Sequence, residues 1–276
     1  MNLLILGGTN DALRLAASLN EHLCKKGITV IYSLAGLVRT PEIDCKVITG
    51  GFTQHGGLSN YINSNSIAGI VDATHPYASK ISDEAHAAAL DNHIPYWQFE
   101  RLAWKKQSGD NWFEYSNWDE LLPMLKDKRS VFITTGQLDS ITLDTLSKKL
   151  LATSSVKVIL RTAIKPKNLE QFKQLSEEKI QWVQAIGPFT LEDEIALMQK
   201  HAIDALISKN SGGDATIAKL HAAKKLQVPV YLLKRPQRRF QITEVNVKGV
   251  FCDVSDCKEN VLQYFNETSV KSVENE

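Results

Sequence analysis

One pattern limits the possible folds of this chain more than any other. A short apolar run, a turn of Gly, Ser, Thr or Asn, and an amphipathic stretch recur along its 276 residues. Leu3–Leu6 reads as a strand. Asn10–Lys26 reads as a helix with Leu13, Ala16, Ala17, Leu19 and Leu23 on one face and Gly27 closing it. Strands follow at Ile28–Leu34, Val47–Ile48, Gly69–Asp72 and Tyr96–Phe99, with helices at Leu58–Asn63 and Ala78–Asn92. The rhythm lapses over Arg101–Trp118, which reads as a loop or short hairpin, and Trp118–Leu125 reads as a short helix. It restarts with strands at Val131–Thr134, Val156–Leu160, Ile180–Ala185, Ala205–Lys209 and Val230–Leu233. The helices between them are Leu138–Leu146, Thr190–His201, capped by Thr190, and Ala215–Leu226.

Unbroken apolar strands alternating with helices imply mostly parallel sheets covered on both faces. The expected fold class is α/β, with two lobes whose mostly parallel sheets face a central cleft. Ligands of open α/β sheets bind beyond the carboxyl ends of the strands. The expected division is residues 1–128 as an N-terminal lobe with a cofactor phosphate site, 129–252 as a substrate-binding C-terminal lobe, and 253–276 as a partly frayed segment.

Composition narrows the function classes. The formal net charge is +1, so neither sign dominates, and no nucleic-acid or membrane partner is expected. The N-terminus carries no basic region or cleavage site, and its apolar run is too short for a signal peptide or a membrane span. A cytoplasmic protein is expected. Cys24, Cys45, Cys252 and Cys257 form no C-x-x-C pair, and the His residues show no metal-ligand spacing, so no metal is expected. Oligomeric state is not legible.

The strongest local motif is LLILGGTNDA, where a strand runs into Gly7-Gly8-Thr9 and then a helix. Gly7 and Ala12 take the first and last places of the dinucleotide fingerprint, but Thr9 stands where its second glycine belongs. Gly8 is expected to supply the close backbone approach, and the Thr9 hydroxyl to donate to a phosphate. Asp11 in the first helical turn opposes an incoming anion. The second strand ends in Ser33 with no acid to hold the ribose hydroxyls of NAD; Ser33, Arg39 and Arg14 lean toward NADP. A plain βα turn remains an alternative. VDATHPYA places Thr74 and His75 between a strand end and a helix, where His75 is a candidate proton donor or substrate contact, or a structural histidine. In SKNSGGDATIAKL, Lys209, Ser211 and Gly212 with Thr216 and Lys219 make an anion cradle or a loose βα turn. Gly50-Gly51, Thr134–Gly136, Arg161 and Lys234-Arg235 also lie at strand ends, placing several cations on one rim.

These residues, with GGTNDALRLA, SLAG, FITTG, GPF, SKNSGG and RP in this order, resemble the precorrin-6A reductase family from Leu3 to about Pro236. The resemblance implies two Rossmann-like lobes and reduction of a double bond in a corrin precursor, precorrin-6A or its cobalt form, with NADPH as hydride donor in cobalamin biosynthesis. It also implies cofactor phosphates on Gly7, Gly8, Thr9 and Ser33, with Arg39 nearby. The carboxylates of an anionic tetrapyrrole would then meet Thr74, His75, Lys209, Ser211, Gly212 and Arg235. Two positions depart from the pattern. Gln137 stands where an arginine is expected after Gly136, and Leu37 where one is expected after Gly36. Two other readings stay open at this point: an NADP-linked reductase of a smaller substrate, and a non-catalytic NADPH-binding regulatory protein.

Overall fold

The computed structural model describes residues 1–36, 41–166, 169, 179–237 and 246–273. The chain forms two compact units, Met1–Leu102 with Pro236–Glu276, and Ala103–Arg235.

The first unit is one six-stranded sheet: β1 (Asn2–Leu6), β2 (Thr29–Leu34), β3 (Lys46–Thr49), β4 (Ile67–Asp72), β5 (Tyr96–Phe99) and β12 (Val247–Phe251). Its order is β12-β5-β4-β1-β2-β3, and every pairing is parallel. From β1 the chain steps outward through β2 and β3, then crosses back to β4 on the other side of β1. The reversal opens a crevice between the carboxyl ends of β1 and β4, the usual ligand position in such sheets. Alternation along the strands sorts the core. Leu3, Ile5, Val30 and Tyr32 face α1 (Asn10–Leu23) and α8 (Val254–Val273). Leu4, Ile31 and Ile70 face α2 (Leu58–Ser64) and α3 (Ser79–Asp91).

The second unit repeats the plan. Its strands are β6 (Trp112–Tyr115), β7 (Ser130–Ile133), β8 (Lys157–Thr162), β9 (Ile180–Gln184), β10 (Ala205–Lys209) and β11 (Val230–Leu233). The order is β6-β11-β10-β7-β8-β9, again all parallel. One face carries α4 (Trp118–Leu121) and α5 (Ser140–Leu146), with Leu121, Leu143 and Leu146 packed on Val131, Ile133 and Ile207. The other carries α6 (Leu191–Lys200) and α7 (Ala218–Lys225), with Met198 and Leu220 on Phe132 and Leu206.

Three expectations change. The segment over Arg101–Trp118 is not only loop: Trp112–Tyr115 is a strand, paired in parallel with β11. Four residues are too few to display a period, and their partner lies more than a hundred positions away. The division between lobes therefore differs from the one expected at 128/129. β6 belongs to the second sheet, whereas β12, placed by sequence in the second lobe, pairs with β5 in the first. Within 253–276, expected to be partly frayed, Val254–Val273 is a helix. Its polar composition hides three anchors. Cys257, Val261 and Phe265 are buried, the Phe265 ring lies against Trp97 at 6.2 Å, and Trp97 Nε1 donates to Asn260 Oδ1 at 2.9 Å.

Phe265→Ala is expected to cost about 3–5 kcal/mol of stability, the usual penalty for emptying a buried aromatic site. Urea unfolding measures it, and a frayed tail would show no change.

Candidate functional site

The loop after β1 is held by its neighbour strand. Tyr32, fully buried on β2, lays its ring where a side chain on Gly7 would have to sit, so that position admits no Cβ. The Tyr32 Oη accepts the Gly8 N–H at 2.9 Å, and Gly8 takes φ +110, which favours glycine. Burial pushes the Tyr32 phenol above its ordinary range, so it stays neutral. Thr9 caps α1: its hydroxyl accepts from Ala12 N at 3.1 Å and donates to Ala73 O at 3.1 Å.

That corrects the role expected for Thr9. The single hydroxyl proton is committed to the turn after β4, so it cannot also serve a phosphate. The Gly7 N–H is also engaged, by Ser33 O at 2.9 Å, so what remains for an anion is the amides that open α1 and the positive end of its dipole. Asp11, the mark against anion binding, is neutralised. Its Oδ1 meets Arg14 Nη2 at 2.6 Å and its Oδ2 meets Arg101 Nε at 2.7 Å. Sequence reading missed Arg101 because its partner lies ninety positions away.

A cavity of about 1060 Å³ opens at the sheet reversal, lined by Gly7 and Ser33 on one side, Gly50 and Gly51 on another, and Thr74 and Tyr77 on a third. Four turns separated in sequence thus share one site. Arg39 and Leu37 lie outside the described residues.

On the β4 side, buried Asp72 organises the turn. Its Oδ1 accepts from Thr74 N at 3.0 Å and Thr74 Oγ1 at 2.7 Å, and its Oδ2 accepts from Tyr96 Oη at 2.9 Å. Thr74 thereby has its hydroxyl proton engaged. His75 Nδ1 accepts the Tyr77 N–H at 3.3 Å, so a neutral ring carries its proton on Nε2. His75 lines a separate small cavity of about 40 Å³ with Gln98 and Glu100.

In the second unit, Asn210 after β10 clamps Trp104: its Oδ1 accepts from Trp104 N at 2.8 Å, and its Nδ2 donates to Trp104 O at 3.1 Å. Arg235 Nε donates to Asn210 O at 2.8 Å, which brings the two predicted segments together. Gly212 and Gly213 take φ +68 and +72. Burial lowers the Lys209 ammonium below its ordinary range.

The expected rim of cations is smaller than the sequence suggested. Arg161 is buried, with a bidentate pair to Glu194 at 3.0 and 2.8 Å and its guanidinium 3.9 Å from the Phe189 ring centroid. It is an internal strut, not a rim charge. Gln137, standing in an arginine's place, donates to Ile164 O at 3.0 Å. Lys219, one lysine of the anticipated cradle, is 4% exposed. Among the described residues there is no group of three or more His, Cys, Asp or Glu able to hold a metal, and no helix long and apolar enough to cross a membrane.

With this geometry in hand, comparison with known proteins is specific. Residues 2–255 match the family model described as precorrin-6x reductase CbiJ/CobK. A precorrin-6A reductase of Rhodococcus erythropolis is 36% identical over 240 residues, covering 85% of this chain and 89% of that protein. A cobalt-precorrin-6A reductase of Priestia megaterium is 31% identical over 237 residues, covering 85% and 91%. A solved structure of CobK precorrin-6A reductase superposes with a TM-score of 0.75 at 27% identity, covering 96% of both chains.

Two measurements check the geometry. Tyr96→Phe removes one bond to a buried carboxylate and is expected to cost about 1.5–3 kcal/mol. Asp72→Ala, which strands three donors, is expected to cost more in the same denaturation series. Lys219 gives a pH test. Burial, then Arg161, pushes its ammonium down to about 8. Above that value, up to the ordinary lysine range, the unfolded chain binds more protons, so this group makes stability rise with pH. Below it both states are protonated and the full penalty stands. Lys219→Met should exceed the wild type in stability at neutral pH, with the gap closing as pH climbs through that window.

Proposed function

Because the chain belongs to the precorrin-6x reductase family, we infer that it reduces one double bond of the precorrin-6A macrocycle in cobalamin biosynthesis, with NADPH as the reductant. The observation that carries this reading is the family match from residue 2 to 255, which spans both sheets. The first sheet supports the cofactor assignment. Its strand order reverses at β1 and β4, and the cavity there joins the glycine turn to Ser33. A dinucleotide fits that donor set: open space over Gly8, the amides of Asn10 and Asp11 that open α1, and a hydroxyl at the end of β2 with no acid beside it.

We assign the diphosphate to the Gly7-Gly8-Thr9 turn, with Thr9 acting through its backbone and its hydroxyl fixing the turn. The 2′-phosphate is assigned to Ser33 and Arg39. Asp11 offers no net repulsion because Arg14 and Arg101 hold it. When bound, the reduced nicotinamide supplies a hydride, and one proton completes saturation of the double bond. His75 is the candidate to deliver that proton, since its Nδ1 is tied to the Tyr77 amide and its Nε2 bears the hydrogen. Thr74, His75, Lys209, Ser211, Gly212 and Arg235 are assigned to the substrate's carboxylates. The cytoplasm, with its NADPH pool, is the compartment this reading requires.

The reading is tested by following nicotinamide absorbance with precorrin-6A and its cobalt form. Oxidation matched one-to-one by reduced macrocycle supports it; tight NADPH binding without oxidation by either form contradicts it. Ser33→Ala should raise the KM for NADPH about tenfold and leave NADH use unchanged, the effect of losing one charge-assisted bond. An equal rise for both cofactors would remove Ser33 from the 2′-phosphate.

A further inference from the structure

The chain passes between its two units twice, after Leu102 and after Arg235. Neither crossing lies in a helix or strand: residues 100–107 and 234–237 carry no regular structure. Leu102, Ala103, Lys105 and Lys106 are exposed, so little packing holds the first crossing. Trp104 is the exception there, and it is fastened by one residue. Asn210, which follows β10 and is 9% exposed, accepts the Trp104 N–H on Oδ1 at 2.8 Å and donates Nδ2 to Trp104 O at 3.1 Å. A primary amide places a donor and an acceptor side by side, so it completes both backbone groups of one residue as a neighbouring strand would.

The return crossing is fastened to the same residue. Asn210 O accepts from Arg235 Nε at 2.8 Å. Pro236 stiffens this crossing, because its ring fixes its own φ and restricts Arg235 to extended backbone. The Trp104 ring adds a third tie, with Nε1 donating to Gly213 O at 3.1 Å and the Lys219 ammonium 5.3 Å from its centroid. Both places where the chain leaves the second unit are thus hydrogen-bonded to the turn that follows β10. The bonds to Asn210 come from 106 positions before it and 25 after it. A buried amide with both atoms engaged is costly to replace, since its partners lose their bonds with it.

We propose that Asn210 is a positioning residue for hydride transfer: by fixing both chain crossings to the turn after β10, it holds substrate and cofactor in register without touching either. The inference rests on the assignment of the cofactor to the first unit and of the substrate turn to the second. Hydride transfer is sensitive to such placement, because a misplacement of about 1 Å costs about a hundredfold in rate.

The test compares wild type, Asn210→Ala and Asn210→Asp, the last keeping the acceptor for Trp104 N but losing the donor to Trp104 O. Lys105 and Lys106 stand beside Trp104, so trypsin nicking after either, read by mass spectrometry, reports how firmly the crossing is held. NADPH affinity is read by nicotinamide fluorescence. The hydride-transfer rate is read in single turnovers at saturating precorrin-6A, at a temperature where each protein is folded. Asn210→Ala should be nicked at least about tenfold faster and transfer hydride at least about tenfold slower, with NADPH affinity unchanged. Asn210→Asp should move both rates in the same directions. Nicking at the wild-type rate overturns the proposal, because Asn210 then does not hold the crossing. Faster nicking with a wild-type hydride rate also overturns it, as does a loss of NADPH affinity. If Asn210→Ala does not fold, Asn210→Asp decides by the same readouts; if neither folds, Asn210 is a structural element alone and the proposal fails. Wild type that transfers no hydride refutes the reductase reading itself, whereas active wild type with equally active variants refutes only the role of Asn210.

Discussion

The contact between Gly7 and the Tyr32 ring is the constraint on which the first unit's site depends. A residue with any side chain at position 7 would displace a fully buried aromatic from the middle of the sheet. With glycine there, the phenol reaches past β1 and takes the Gly8 N–H. The turn is thereby fixed by β2, the strand that also presents Ser33. Thr9 extends the linkage to the other side by donating to Ala73 after β4. One glycine and two hydroxyls tie the three strand ends around the crevice into a rigid frame, which suits a cofactor that must be held in one orientation.

The two sheets share a plan, and the chain exchanges their outermost strands. After β5 the next strand, β6, joins the second sheet beside β11. After β11 the next strand, β12, returns to the first beside β5. Each sheet thus gains its sixth parallel strand from a distant part of the sequence, and α8 covers the returning edge through Trp97 and Phe265.

The sequence made much of this legible because parallel strands buried on both faces write themselves as unbroken apolar runs. Most strands and helices stand within a residue or two of where periodicity puts them, and the Thr190 cap is as read, accepting from Asp193 N at 3.1 Å. What stayed hidden depends on partners far apart in the chain. β6 has four residues and no visible period. α8 looks polar because its buried positions are few and lie among charges. Within the candidate site, residue types at strand ends were legible, but their engagements were not. Nothing in the local sequence says that Arg161 is consumed by Glu194, that the Thr9 proton is already spent, or that Lys219 is buried beside Trp104. Those facts come from contacts between 33 and 115 positions apart.

The proposed chemistry is hydride transfer from NADPH to one carbon of the precorrin-6A macrocycle. The most direct test is a single turnover with NADPH deuterated at the transferring position, followed by mass analysis of the macrocycle. The expected product carries deuterium on a non-exchangeable carbon from one of the two C4 positions and none from the other. A reduced product without deuterium from either, or no reduced product at all, would contradict it.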